Sequence, residues 1–186
     1  MNILLGVTGS VAAKLIFKLV GSLRGVLIEN NVKVVVTNSA KTIISEPTLV
    51  AFDDDMEWDV YKTLNNVLHI DLAKWADVFV IAPCSANTLA KMANGICDNL
   101  LTCCVRAWDY NRPMIIAPAM NTQMYLNPFT QKHLDVLKEM RVIVVPPQTK
   151  ELYCGDVGIG AMAEISDIVS EIEIPQKRIK FPPGAC

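Results

Sequence analysis

Hydrophobic residues along this chain fall into short, nearly unbroken runs that alternate with longer stretches of mixed polarity. "NILLGVT" is the first run and ends at Gly9, and "SVAAKLIFKLVGSLRGVLIEN" follows with apolar residues at helical spacing and Ser10 placed as an N-cap. The pattern repeats in "VKVVVTNSA", a valine-rich strand closed by the polar turn Thr37, Asn38 and Ser39. In "DVFVIAPCSANTLAKMANG", Val78 to Ala82 reads as a buried strand that Pro83 stops, with Ser85 or Asn87 capping the next helix. "PMIIAPAMNTQM" and "RVIVVPP" supply two more short strands, separated by the helical "NPFTQKHLDVLKEM" with Pro128 in its first turn.

Five apolar strands alternating with helices predict an α/β fold, a single-domain three-layer sandwich of flavodoxin- or Rossmann-like type. Its mostly parallel sheet carries helices on both faces. The domain is expected to span residues 1–174, with the proline-rich, basic "PQKRIKFPPGAC" of 175–186 as a flexible tail. Ligands of such sheets sit beyond the carboxyl ends of the strands. That rule selects four loops: Gly9-Ser10-Val11, Thr37-Asn38-Ser39, Ser85-Ala86-Asn87-Thr88 and Pro118-Ala119-Met120-Asn121.

Composition narrows the class. Of 186 residues 52% are hydrophobic, apolar enough to predict surface buried against copies of the same chain. A net charge of -2 with dispersed lysines and arginines argues against nucleic acid as a partner. No uncharged apolar run reaches the roughly 18 to 20 residues of a membrane span, and "MNILLGVTGS" lacks the basic start of a signal peptide. A cytoplasmic protein is expected. The six cysteines form no CxxC pair and the two histidines, His69 and His133, show no ligand spacing to them, so reduced thiols and no metal are predicted.

Three of the four loops bear hydroxyls: Ser10 after the first strand, Thr37 and Ser39 after the second, Ser85 and Thr88 after the third. Together they favour a phosphate-bearing ligand at helix starts. Gly6 and Gly9 do not complete a dinucleotide fingerprint, and a structural turn is the other reading of that loop. In "PAMNTQMYLNP", Met120 and Met124 read either as core filling or as an apolar pocket in which Asn121 offers an amide. His69 is either a satisfied, partly buried residue or the leading candidate base. "ELYCGDVGIGAM" sets Cys154 before Gly155, Gly158 and Gly160, a thiol on a glycine-hinged loop.

Taken in order, "GVTGSVAA", "VVVTNSA", "VLHIDLAKWADVFVIAPCSANTLAKMANGICDNLLTC", "RAWDY", "PAMNTQMYLNPFT" and "LYCGDVGIGAMAE" resemble the flavin-containing cysteine decarboxylases over roughly residues 2–172. That resemblance implies an FMN whose phosphate region is held by Gly9, Ser10, Val11 and Ala12 with Thr37, Asn38 and Ser39. Ser85, Ala86, Asn87, Thr88 and Ala119 would line the flavin. It implies catalytic roles for His69, Asn121 and Cys154, with Asn121, Met124, Glu151, Leu152 and Tyr153 binding substrate. The implied substrate is the small molecule 4'-phosphopantothenoylcysteine, and the implied assembly is a homotrimer whose neighbouring subunits share each site. A regulatory subunit that inhibits a protein phosphatase, and a decarboxylase of peptide C-terminal cysteines, are the rival readings. Tyr125, Ala161 and Ile165 depart from residues frequent in the family, which are tryptophan, arginine and proline.

Overall fold

A computed structural model describes residues 1–25, 31–44, 50–64, 66–151, 155 and 157–178. Its centre is a five-stranded, all-parallel sheet of β1 (Asn2–Val7), β2 (Asn31–Val36), β3 (Val78–Cys84), β4 (Met114–Pro118) and β5 (Ile143–Val144). The strand order is β2-β1-β3-β4-β5, the doubly wound arrangement expected from the alternation of runs.

Strand side chains point alternately to the two faces, and each face has its own core. Ile3, Leu5 and Val7 of β1 join Val78, Val80 and Ala82 of β3 and Ile115 and Ala117 of β4 on one side. Against them pack α1 (Ile16–Gly25) and α9 (Ile165–Arg178), through Ile16, Leu19 and Leu23 and through Ile168 and Ile172. The other face presents Leu4, Phe79, Ile81, Met114 and Ile116 to α4 (Leu68–Trp75), α5 (Ala86–Ala93), α6 (Leu100–Arg106) and α8 (Pro128–Glu139). Burying each of the valine, leucine, isoleucine, methionine and phenylalanine side chains among these stabilises the fold by roughly 1.5–3 kcal/mol. Because both faces are covered, the strands are near-continuous apolar runs: β3 is buried throughout and β1 from Ile3 onward, with polar residues confined to Asn2, Asn31 and Lys33 in the first halves of β1 and β2.

Several boundaries differ from the sequence expectation. Pro83 does not stop β3; the strand continues to Cys84, with an irregular register against β4 between Ile81 and Cys84. Proline is tolerated because its carbonyl is the group in use, accepting from the Thr8 N–H and the Thr8 hydroxyl. The first helix begins as a 3-10 turn, Val11–Leu15, before α1, and Ser10 sits at its N-cap position without a side-chain capping bond. Of the two candidate caps before α5, Ser85 is the cap and Asn87 lies inside the helix. Helix α9 runs through Pro175 to Arg178, four residues into the segment expected to be tail, and 179–186 lie outside the described residues.

"ELYCGDVGIGAM" is not simply a loop. Gln148–Glu151 forms β6 and Val157–Ala161 forms β7, an antiparallel pair separate from the main sheet. Gly158 and Gly160 therefore belong to a strand, while Gly155 precedes it with φ +85°. Gly160 has φ +140°, and a Cβ there would stand 2.3 Å from the Met120 carbonyl oxygen. Only glycine admits that approach, which lets the Met120 N–H donate to the Gly160 carbonyl at 2.9 Å and fixes β7 to the loop after β4.

Three further short or peripheral helices lie among the described residues: α2 (Asn38–Lys41), α3 (Asp54–Leu64) and α7 (Thr122–Tyr125). Helix α3 buries no residue, and it exposes Met56, Trp58, Tyr61 and Leu64, Trp58 at 62% and Leu64 at 72%. No helix of the described residues is long and apolar enough to cross a membrane.

Candidate active site

Where β1, β2, β3 and β4 end, their loops converge on a cleft of about 970 Å³. All twelve residues expected to hold a cofactor line it: Gly9, Ser10, Val11 and Ala12, Thr37, Asn38 and Ser39, Ser85, Ala86, Asn87 and Thr88, and Ala119. Asn121, Met124 and Glu151 line it as well.

Local hydrogen bonding sets each loop. The Thr8 hydroxyl donates to the Pro83 carbonyl at 2.7 Å and accepts from the Ser85 N–H at 2.7 Å, tying the first loop to the third. The Ser85 hydroxyl accepts from the Thr88 N–H, and Thr37 accepts from the Ala40 N–H, so both cap the helices that leave the cleft. Gly9 lets the first and second loops touch, since a Cβ there would be 2.4 Å from Ser39 Cβ. Asn121 caps α7 by accepting the Gln123 N–H on Oδ1 at 2.8 Å.

One end of the cleft is thus rich in hydroxyls and backbone N–H groups, and the other carries Ala119, Met120 and Met124. This suits a ligand with an anionic head and a flat apolar body. Cations are also present. Lys14, Lys91 and Lys150 line the cleft, Lys91 paired with Asp98 at 2.7 Å and Lys150 with Glu164 at 3.2 Å. The hydrogen bond from Lys91 holds the Asp98 carboxyl below its ordinary range. Ala161 also lines the cleft, paired with Gln148, while Lys150 of the same strand pairs with Gly158.

A model of the flavoprotein family matches residues 1–175. The chain belongs to the flavoprotein family. This flavoprotein is 49% identical over 182 residues to phosphopantothenoylcysteine decarboxylase of Oryza sativa subsp. japonica, covering 95% of this chain and 81% of that protein. Among solved structures it resembles a PPC decarboxylase mutant complexed with pantothenoylaminoethenethiol, with TM-score 0.88 and 44% identity over 95% of this chain and 98% of the other. It also resembles the FMN binding protein AtHal3, with TM-score 0.86 and 45% identity over 95% and 97% of the two chains.

The remaining predicted residues of this flavoprotein are placed differently. Leu152, Tyr153 and Cys154 lie outside the described residues. His69 does not line the cleft of its own chain. It stands in the first turn of α4, its Nδ1 hydrogen-bonded to Oε1 of Glu57 on α3. Glu57 lies one helical turn on from Asp54, which does line the cleft. Histidine and cysteine spacing gave no sign of a metal, yet the fold gathers donor atoms of Glu57, His69 and Cys103 within 4.8 Å of one another. Burial, with the Glu57 carboxylate beside it, pushes the Cys103 thiol up to about 11, so this thiol is neutral near pH 7.

Sequence reasoning missed Lys91, Asp54, Asp98 and Asn99 at the cleft. Lys91 was within reach of pattern, three residues after Thr88 on the same helix face. The other three come from segments remote in sequence from the four loops, where no spacing rule applies.

Proposed function

We propose that the protein is a phosphopantothenoylcysteine decarboxylase, converting 4'-phosphopantothenoylcysteine to 4'-phosphopantetheine and CO2 in coenzyme A biosynthesis, with FMN as cofactor. The observation that carries this reading is the single cleft at the carboxyl edge of the sheet, shared by the hydroxyl loops and the Ala119-Met120-Asn121 loop. Family membership and the 49% identity to the rice decarboxylase support it.

Loss of CO2 from a cysteine amide leaves a carbanion with no group to receive its charge. Bound FMN supplies reversible two-electron chemistry, which allows the thiol to exist transiently as a thioaldehyde that accepts those electrons. Ser10, Thr37 and Ser39 hold the cofactor phosphate through hydroxyls and adjacent N–H groups, and Ser85 to Thr88 with Ala119 wall its ring. His69 takes the proton from the substrate thiol through a ring-nitrogen lone pair. Asn121, its Oδ1 used in capping α7, donates from its amide nitrogen to the substrate carboxylate and orients it. Met124 gives an apolar wall, and Glu151, Leu152 and Tyr153 cover the substrate. Cys154 delivers a proton to the product carbon skeleton left after CO2 departs, with the two electrons returned by the reduced cofactor.

The protein works in the cytoplasm as a homotrimer with each site completed by a neighbour. Two features support this. Helix α3 offers Met56, Trp58, Tyr61 and Leu64 uncovered, and His69 stands outside its own chain's cleft.

The test is to mix the flavin-loaded protein with 4'-phosphopantothenoylcysteine and measure CO2 and 4'-phosphopantetheine. Both are expected in equal amounts. Absence of CO2 from protein that has bound FMN would overturn the reading.

A further inference from the structure

Helices α3 and α4 meet at a contact that the reaction above does not use. Oε1 of Glu57 is hydrogen-bonded to Nδ1 of His69, with the Glu57 side chain 15% exposed and that of His69 25% exposed. An ionised carboxylate can only accept, so the proton in this bond belongs to Nδ1. The other ring nitrogen, Nε2, has no hydrogen-bond partner among the described residues. A neutral imidazole carries one N–H and one lone pair, and fixing the first fixes the second.

We propose that Glu57 is the positioning residue for His69, holding the ring in the Nδ1–H tautomer and thereby reserving the Nε2 lone pair as the proton acceptor. The inference rests on the reading of His69 as the base that takes the substrate thiol proton. The opposite tautomer would present an N–H toward the substrate and could not accept anything from it.

The surroundings keep this arrangement from being scrambled. Leu68, Leu72 and Ala73 of α4 are buried on the face opposed to the sheet, which fixes the helix that carries the ring. Cys103 is the third group in the cluster, and its thiol donates to the Cys97 carbonyl at 3.4 Å, so it does not compete for the Glu57 carboxylate. Asp71, on the same helix as His69, is engaged by Asn66. The pair also spans two helices, so the angle of the ring is set by tertiary structure, independent of its own rotamer preferences.

Two measurements on the flavin-loaded enzyme test this. The chain has two histidines, so ¹⁵N labelling of histidine gives two pairs of ring-nitrogen signals, and a His133→Asn variant assigns them. Above the pH at which the ring is charged, His69 should show a protonated Nδ1 and a pyridine-type Nε2, and Glu57→Ala should shift the ring toward Nε2–H. An Nε2–H ring in the unmodified enzyme, or the same tautomer with and without the carboxylate, would overturn the proposal. In turnover, Glu57→Ala should lower kcat by roughly 10- to 100-fold, the usual effect of removing a partner that orients a functional histidine, with KM nearly unchanged. An active Glu57→Ala enzyme beside an inactive His69→Asn enzyme would overturn the role of Glu57 and leave that of His69 standing. Full activity in His69→Asn would instead overturn the base, whatever the tautomer. A stoichiometric metal ion in the purified enzyme, lost on Cys103→Ser, would also overturn the proposal, because Glu57 would then be a ligand and not an acceptor.

Discussion

Replacing Gly9 by alanine puts the contact between the first two loops of the cleft to a quantitative test. The new Cβ would stand 2.4 Å from Ser39 Cβ, where carbon atoms at rest sit about 3.5–4.0 Å apart. The obstacle is a side-chain root carried on α2, which no rotamer change can remove, so the loops must separate by roughly 1 Å. Overpacking of this size costs about 1–3 kcal/mol. At about 2–4 °C per kcal/mol for a chain this long, the melting midpoint should fall by roughly 2–12 °C. Both loops also line the cleft, so FMN affinity, read by quenching of flavin fluorescence, should fall with it. Adding Ser39→Gly isolates the cause. Once the Ser39 Cβ is gone, the remaining contact is its carbonyl carbon at 3.5 Å, ordinary packing distance, so the double variant should melt higher than Gly9→Ala alone. Ser39→Gly by itself should be mildly destabilising, since it puts glycine in a helix. The two changes should therefore show a stabilising coupling of about 0.5–3 kcal/mol. A Gly9→Ala protein that melts with the unmodified one, or a double variant no better than the sum of its parts, would refute the reasoning.

Other outcomes follow from the same geometry. Phe79, fully buried between the sheet and the Trp108 ring 5.4 Å away, should cost about 3–5 kcal/mol on change to alanine, read by urea unfolding of the flavin-loaded protein. Trp58→Asp should leave far-ultraviolet circular dichroism intact and reduce the sedimenting mass from a multiple of 20.5 kDa to a single chain; an unchanged mass would remove α3 from the subunit interface. Alkylation of the native protein at pH 7.5 should modify Cys97 and spare Cys84 and Cys103, whose thiols burial holds at about 12 and about 11, and Cys103 should begin to react as pH nears 11. Because Asp98 is held below its unfolded value, the Lys91 contact contributes fully above the ordinary carboxylate range and is lost as pH falls through the lower folded value. Asp98→Asn should thus narrow the stability difference between pH 6 and pH 3, by less than about 1 kcal/mol for so exposed a pair.

What could be read from the sequence follows from what is buried. Strands covered on both faces carry near-continuous apolar runs, so β1 to β4 stand out, and the rule placing ligands at their carboxyl ends led directly to the cleft. Pro83 misled because a strand end was inferred from a missing donor, whereas its acceptor is what the fold uses. The glycines at 158 and 160 suggested a hinge, but they admit Thr122 and the Met120 carbonyl against a strand. The "DDMEWDVYKTL" stretch gave no helix because a stripe of core residues is the signal, and α3 has no residue in the core. Glu57 and His69, twelve residues apart on two helices, are joined by packing alone.

Helix α3 has a further consequence for how the enzyme behaves on dilution. Eleven residues are fewer than the roughly 12–15 an isolated helix needs to hold together in water, and its own chain adds only Val60 packed partly buried against the core, the Leu100 N–H bonded to Asp54 and the Glu57–His69 contact. In the trimer proposed above, a neighbour covering Met56, Trp58, Tyr61 and Leu64 would add to that order, and the carboxylate that steadies His69 would gain with it. If that trimer forms, specific activity should decline on dilution while the parallel sheet persists, and the working enzyme would then come into being at assembly, after the chain has folded.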